Sequence, residues 1–253
     1  MEDQPNNAEQ HFSAVSDNYK SYRPDYPLEL AAFLSEQCET SSLAVDVGCG
    51  NGQLSVLLAD YFQHVIATDA SKKQVANAQV RNNIEYRCET AEKISCDNNS
   101  ADLVVAAQAA HWFNLDAFYQ EVHRIAKPTA TIALISYGVQ SIESSANSLL
   151  QTFYWETISQ YWPPERAHVE NGYTNFPFPF TEAQAPLFAI KRQWDLDTLC
   201  NYISTWSAIG EANKQGKEKL FTQFKVDLKK AWGNEKNTVT VEWPISIRIG
   251  HIA

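Results

Sequence analysis

The sequence predicts an α/β protein: a parallel sheet with helices on both faces and an added, mainly helical lobe. Three observations predict it. Between residues 43 and 137, short apolar runs alternate with helical patterns, and near-continuous apolar strands are the mark of a parallel sheet covered on both faces. The first run ends in a glycine-rich turn, "VDVGCGNG" (45–52), that leads straight into a helix. After residue 138 the alternation stops, and aromatics and prolines take over.

Residues 1–9 read as a polar tail. Phe12, Val15, Tyr19 and Tyr22 recur at helical spacing until "RPDYP" breaks the pattern, and 28–38 is a second amphipathic helix. Strands follow at 43–47, 64–69, 84–88, 102–107 and 131–137. Leu54, Leu57, Leu58 and Tyr61 mark the first intervening helix. The second, 71–80, opens with Ser71 and Gln74 at capping-box spacing. The third carries Leu115, Phe118, Val122 and Ile125 and stops at Pro128. Residues 1–138 are therefore expected to form two lid helices and a sheet domain. Residues 139–232 form the lobe, with helices at 197–209 and 214–232 and one sheet strand near 187–195. Residues 233–253 close the chain with an alternating strand, "TVTVEWPISIRIGHI".

Composition narrows the function. With 253 residues, 44% of them hydrophobic, the chain buries a sizeable core. A net charge of −10 opposes general nucleic-acid binding. Five cysteines without a CxxC pair argue against a disulfide framework or a zinc site and suit a reducing, cytoplasmic setting. The acidic, polar N-terminus is unlike a signal peptide, and no apolar run approaches the roughly 20 residues of a membrane helix. Composition gives no oligomeric state.

The glycine turn admits two ligands. A dinucleotide would lay its pyrophosphate over Gly48, Gly50 and Gly52, but the spacing is GxGxG rather than GxGxxG, and Asp46 faces the mouth. At ~4 Å and an effective dielectric of ~20, two like charges repel by about 4 kcal/mol, roughly a thousandfold in affinity. S-adenosylmethionine carries an ammonium and a sulfonium and no phosphate, so the same carboxylate helps. Asp69, ending the second strand, suits the ribose hydroxyls of either ligand; capping of the following helix is its other reading.

These residues carry a resemblance. "VDVGCGNGQLS" resembles motif I of class I S-adenosylmethionine-dependent methyltransferases. "VIATDAS", "CETAEKI", "ADLVVAAQAAHWF" and "EVHRIAKPTATIAL" resemble their later motifs. "YKSYRPDYP", "QAAHWF", "GYTNFPFPF" and "TWSA" resemble, more narrowly, the small-molecule branch that includes trans-aconitate methyltransferase-like proteins. The resemblance implies a Rossmann-like sheet of seven strands, the last antiparallel and supplied by 239–252. It implies that Asp46, Gly48, Cys49 and Gly50 line the methionine part of the cofactor, that Asp69 holds the ribose, and that Ala70 packs beside the adenine. Thr90, Ala91 and Glu92 fall along the adenine edge, and Gln108 beside the reactive methyl. Many relatives carry an acid where this chain has Thr90, so Glu92 is the substitute there. Lys127-Pro128-Thr129-Ala130 replaces the frequent "KPGG", far from the chemistry.

Methyl transfer from a sulfonium is an in-line displacement that alignment in a dry site accelerates. A base is needed only when the acceptor must lose a proton, so an organic-acid carboxylate needs none. His111, after the fourth strand, is the catalytic candidate if a base is used; a packing or substrate-shaping histidine is its other reading. Tyr19 and Arg23 are candidates for a lid over the cofactor, with Arg23 pairing the methionine carboxylate; core tyrosines on a docked helix are the alternative. His111, Trp112, Trp155 and Trp206 are the expected acceptor-pocket wall. Arg166, His168, Lys191 and Arg192 are positioned to meet an anion, with solvated surface charge the plainer account of each. The leading expectation is a methyltransferase acting on a small molecule, with no nucleic-acid, membrane or metal partner. The alternatives are a nicotinamide-dependent oxidoreductase and a cofactor-binding protein without turnover.

Overall fold

The computed structural model describes residues 25–252; the proposed lid residues Tyr19, Tyr22 and Arg23 lie outside them. After helix α1 (Leu28–Glu36), β1 (Leu43–Val47), α2 (Gln53–Leu58), β2 (His64–Thr68), α3 (Lys72–Ala76) and β3 (Ile84–Arg87) alternate as expected. They lead to β4 (Ala101–Ala107), α4 (Leu115–Ile125) and β5 (Ala126–Tyr137). β1 pairs in parallel with β2 and β4, β2 with β3, and β4 with β5.

The segment after 138 both adds helices and extends the sheet. It contains β6 (Ser141–Ile142), α5 (Asn147–Thr152), α6 (Arg166–Glu170), β7 (Thr181–Ala183) and β8 (Phe188–Trp194). Helices α7 (Leu196–Ser204), α8 (Ser207–Lys214) and α9 (Glu218–Trp232) precede β9 (Val239–His251). β9 enters antiparallel to β5, with Tyr137 opposite Ile245 and Thr131 opposite His251. β6 continues the β5 side of β9, while β7 and β8 share its other edge. Among the described residues the sheet has nine strands, which thus fall into seven positions, in the order β3-β2-β1-β4-β5-β9 and then β7/β8.

Alternate residues of the central strands go to opposite faces, because side chains along a strand have a period of two. Ala44, Leu103, Val105 and Ile135 join one core with Leu30 and Leu34 of α1, Leu54 of α2, and Leu199 and Ile203 of α7. Val45, Val104, Ile132 and Leu134 join the other with Phe118, Val122 and Ile125 of α4. The lobe helices therefore share a core with the first face of the sheet. Trp243 of β9, wholly buried, gives its indole N–H to Tyr202 of α7 at 3.1 Å and welds the two.

Two helices differ from expectation. α3 is short: Ser71 Oγ caps it by accepting the Gln74 N–H, but none of its residues is buried and Val80 stands 87% exposed. A helix with no apolar face to bury gains little from growing longer. The expected helix 197–209 is broken into α7 and α8 by Trp206, whose extended backbone (φ −67°, ψ 136°) turns its ring inward. The strand near 187–195 is β8.

Candidate functional site

A cavity of about 440 Å³ opens at the carboxyl ends of β1, β2 and β4 and runs to the lobe, where ligands gather in open α/β sheets. Its floor is the glycine turn. Gly48, Gly50 and Gly52 all have positive φ, at 70°, 57° and 84°. A Cβ at Gly48 would overlap Ala109, and one at Gly52 would overlap the Tyr86 ring; one at Gly50 would meet nothing within 4 Å among the described residues. The turn's amides are engaged within the protein. Gly48 N–H and Cys49 N–H both donate to the Thr68 carbonyl, at 2.7 and 2.9 Å, and Gly50 N–H donates to the Asp69 carboxylate at 2.8 Å. Three successive N–H groups that would cradle a pyrophosphate are thus spent on the end of β2.

Two carboxylates stand at this floor. Asp46 is 1% exposed. One oxygen accepts Ser55 Oγ–H at 2.6 Å; the other, Oδ1, has no partner among the described residues. Burial pushes its pKa up to about 7, with the nearby Asp69 charge adding to the rise and the Ser55 hydrogen bond opposing it. Asp69 is also raised by burial, against the hydrogen bonds from Ser71 and Gly50. Burial holds the Cys49 thiol well above its ordinary range, helped by both carboxylates, so Cys49 lines the cavity as a neutral group.

Gln108 follows β4 with φ 55°, a conformation that costs a non-glycine residue of order 1–3 kcal/mol. Its side-chain amide donates to the Tyr137 carbonyl at 3.2 Å. This bend sends residues 109–113 across the cavity. His111 follows, its Nδ1 2.9 Å from the hydroxyl of Tyr173. Tyr173 is fully buried, and burial drives its pKa far up, so it remains a phenol. Beyond His111 the walls come from the lobe: Tyr154, Trp162, Arg166, Tyr202 and Trp206.

Of the residues expected from sequence, Asp46, Gly48, Cys49, Gly50, Asp69, Ala70, Thr90, Ala91, Glu92, Gln108, His111, Trp112 and Trp206 line this one cavity. Glu92 also accepts the Asn114 N–H at 3.0 Å and so secures the loop before α4. Trp155 is the exception. It is 49% exposed, gives its N–H to Gln151 and borders a shallow outer cleft instead. The turn of π-helix at Phe153–Thr157 directs the preceding Tyr154 to the cavity and Trp155 away from it. Arg166, read as surface charge, is a wall residue. Gln140, Tyr154 and Tyr202 went unnoticed because single polar or aromatic residues in a lobe without periodicity carry no signal of direction. The signal for Arg166 was "WPPER": the prolines end the preceding turn and start α6 with Arg166 in place.

The floor suits a ligand with a positive charge: a buried carboxylate oxygen without a partner among the described residues, a glycine beside the cavity, and the N–H groups of Gly48, Cys49 and Gly50 already engaged. The adenosyl and methionyl halves of S-adenosylmethionine match that donor set. The comparisons agree. Residues 45–134 match the methyltransferase-domain family. A Dictyostelium discoideum protein assigned as a methyltransferase is 34% identical over 95% of this chain and 94% of its own length. A Saccharomyces cerevisiae protein assigned as an S-adenosylmethionine-dependent methyltransferase is 31% identical over 48% of this chain and 45% of its own. The solved structure of an Anaeromyxobacter dehalogenans protein, assigned as a type II methyltransferase, superposes with a TM-score of 0.86 at 37% identity, covering 91% of this chain and 98% of that one. The nicotinamide alternative falls with these findings, and the chain belongs to the class I S-adenosylmethionine-dependent methyltransferases, with S-adenosylmethionine as its cofactor.

Proposed function

We propose that this methyltransferase modifies a small-molecule acceptor bound in the lobe half of the cavity. The observation that carries the reading is continuity: one cavity joins the glycine turn to the aromatic lobe, at a volume suited to small ligands. In this reading the lobe, 139–232, is the acceptor-binding part and 1–138 the cofactor-binding part. The small-molecule branch suggested by "QAAHWF" and "TWSA" is consistent with that division.

The cofactor supplies a methyl group on a sulfonium. Asp46 Oδ1 takes the ammonium, Asp69 the ribose hydroxyls, and Ala70, Thr90, Ala91 and Glu92 flank the adenine. Gln108 and His111 stand at the junction of the two halves, where the acceptor atom must meet the methyl. Alignment there, with aromatic walls excluding water, supplies the main rate effect. His111, held by Tyr173, is the base available when an acceptor must lose a proton.

The test is equilibrium binding of S-adenosylmethionine and its demethylated product, followed by transfer of labelled methyl to a panel of carboxylic acids, phenols and amines. Label in small molecules supports the reading. Label appearing only in added protein or RNA overturns it.

A further inference from the structure

Resting on the reading that the lobe half holds the methyl acceptor, we propose that this half is built for an anionic acceptor and that Arg166 recognises its acid group. Two hydrogen-bond donors in the wall of this half have no partner among the described residues. Gln140, only 2% exposed, leaves its Nε2 without a partner among the described residues, and so does the indole Nε1 of Trp162. Both residues line the cavity. The nearby hydroxyls are already engaged: Tyr202 accepts from Trp243, and Tyr154 donates to Glu170 at 2.5 Å while accepting from Arg166 Nε at 2.8 Å. Buried donors left without a partner favour a ligand rich in lone pairs.

Arg166 sets the charge. Its guanidinium lies 5.2 Å from the Trp162 ring centroid and 5.9 Å from that of Tyr154, with its side chain 23% exposed. Glu170 approaches its Nε edge at 3.7 Å but borders the outer cleft, not the cavity. The Nη edge makes no hydrogen bond among the described residues. The carboxylates that line the cavity, Asp46, Asp69, Glu89 and Glu92, belong to its cofactor half. Arg166 borders both the cavity and the outer cleft; an acid group in the lobe half that reaches its Nη edge meets a fork of N–H donors that fits two oxygens at once, with its flat or apolar body among Trp162, Trp206 and Tyr154. An amine acceptor would meet a like charge in the same place.

The experiment is calorimetric titration of the full chain saturated with S-adenosylhomocysteine. The probes are phenylacetate and benzoate, each against its primary amide, with phenyl phosphate as the arm that separates carboxylate from phosphate recognition. The acids are expected to bind at least tenfold more tightly than the amides, the scale of a hydrogen-bonded charge. Arg166→Gln abolishes that preference without changing S-adenosylhomocysteine affinity. Trp162→Phe, which keeps the ring and removes one donor, weakens the acids several-fold and the amides not at all; it also serves if the Arg166 variant fails to fold. Amides binding as well as acids, or a preference that survives Arg166→Gln, overturns the proposal, as does product-cofactor binding with no binding of any acid. Acids that bind as expected yet are never methylated leave this site standing and count against the small-molecule methylation reading alone.

Discussion

The carboxylate of Asp69 ties the end of β2 to the glycine turn through Gly50, whose N–H it accepts at 2.8 Å. Its second oxygen accepts the Ser71 N–H at 2.8 Å. One side chain thus fixes the glycine turn and caps the exit from β2, and each oxygen keeps a lone pair, which in the proposed function is open to a ribose hydroxyl.

Asp69→Asn exchanges one accepting oxygen for an NH2 that faces an N–H donor. Hydrogen bonds to a charged partner contribute about 1.5–3 kcal/mol each, so S-adenosylmethionine affinity should fall between about tenfold and a hundredfold. Asp69→Ala should fall at least as far. Calorimetric binding checks both, and unchanged affinity in Asp69→Asn would remove Asp69 from the cofactor site.

The Asp46 carboxyl, raised by burial to about 7 from 3.8, gives cofactor binding a pH dependence. The sign follows from which state holds the proton. Between pH 4 and 7 the folded, ligand-free protein keeps Asp46 protonated while the unfolded chain does not, so this group's contribution to stability is greatest at low pH and is lost as pH rises through about 7. Above that, a buried carboxylate is left charged with one oxygen unpaired, and a cation placed on it recovers the loss. Cofactor binding must expel the proton below pH 7, so affinity should weaken from pH 7.5 to 5.5, approaching tenfold per unit at the acid end. The rise in Tm on adding cofactor should be larger at pH 7.5 than at pH 6. Asp46→Asn should bind weakly with little pH dependence; a variant with the wild-type profile would place the titrating group elsewhere.

At the opposite end of the sheet a carboxylate behaves in the reverse sense. Asp102 accepts the N–H groups of Ser42 and Leu43, both at 2.8 Å, and pairs with Lys127 at 2.6 Å. Burial alone would raise its pKa, but the hydrogen bonds from Lys127, Thr40 and Leu43 outweigh it and hold the group below its usual value. A lowered pKa means stability that is present above about pH 4 and lost as pH falls through the folded value. Asp102→Ala should cost about 3 kcal/mol at pH 7, because buried donors lose their acceptor, and Asp102→Asn should flatten the acid limb of the stability curve. Urea unfolding at pH 3.5 and 7 measures both.

The sheet was legible because its signals are local. Apolar runs, a glycine turn and a proline after α4 each act within a few residues, and the seven positions follow from the family motifs they spell. That Asp46, Gly48, Gly50 and Asp69 meet in one cavity was legible for the same reason: they sit at or just after strand ends that chain order alone locates. The lobe side of the cavity was legible only in part: Trp112 and Trp206 line it as expected, and Trp155 does not. Whether Trp155 or Trp162 faces the cavity depends on one turn of π-helix and two prolines that set the phase of the chain, and Arg166 becomes a wall residue only when α6 docks beside Tyr154. Direction of this kind arises from packing between elements, which no pattern along the chain encodes.

The two tryptophans give the sharpest check on that packing. Trp206 is 8% exposed, stands edge-on to Tyr154 and Tyr202 with centroids 5.4 and 6.0 Å away, and lines the cavity. Trp155 is half exposed and borders the outer cleft. Trp206→Ala removes a large buried ring and should cost about 3–5 kcal/mol of stability, so Trp206→Leu is the better probe: it keeps an apolar filler, loses the flat wall, and should raise acceptor KM while leaving cofactor Kd unchanged. Trp155→Ala should leave both constants within about twofold and stability within about 0.5 kcal/mol, as for a surface substitution. Steady-state kinetics on any acceptor found in the transfer screen decides. If Trp155→Ala raises acceptor KM and Trp206→Leu does not, the acceptor enters or sits on the outer cleft, and the lobe half of the cavity is not where the methyl group is received.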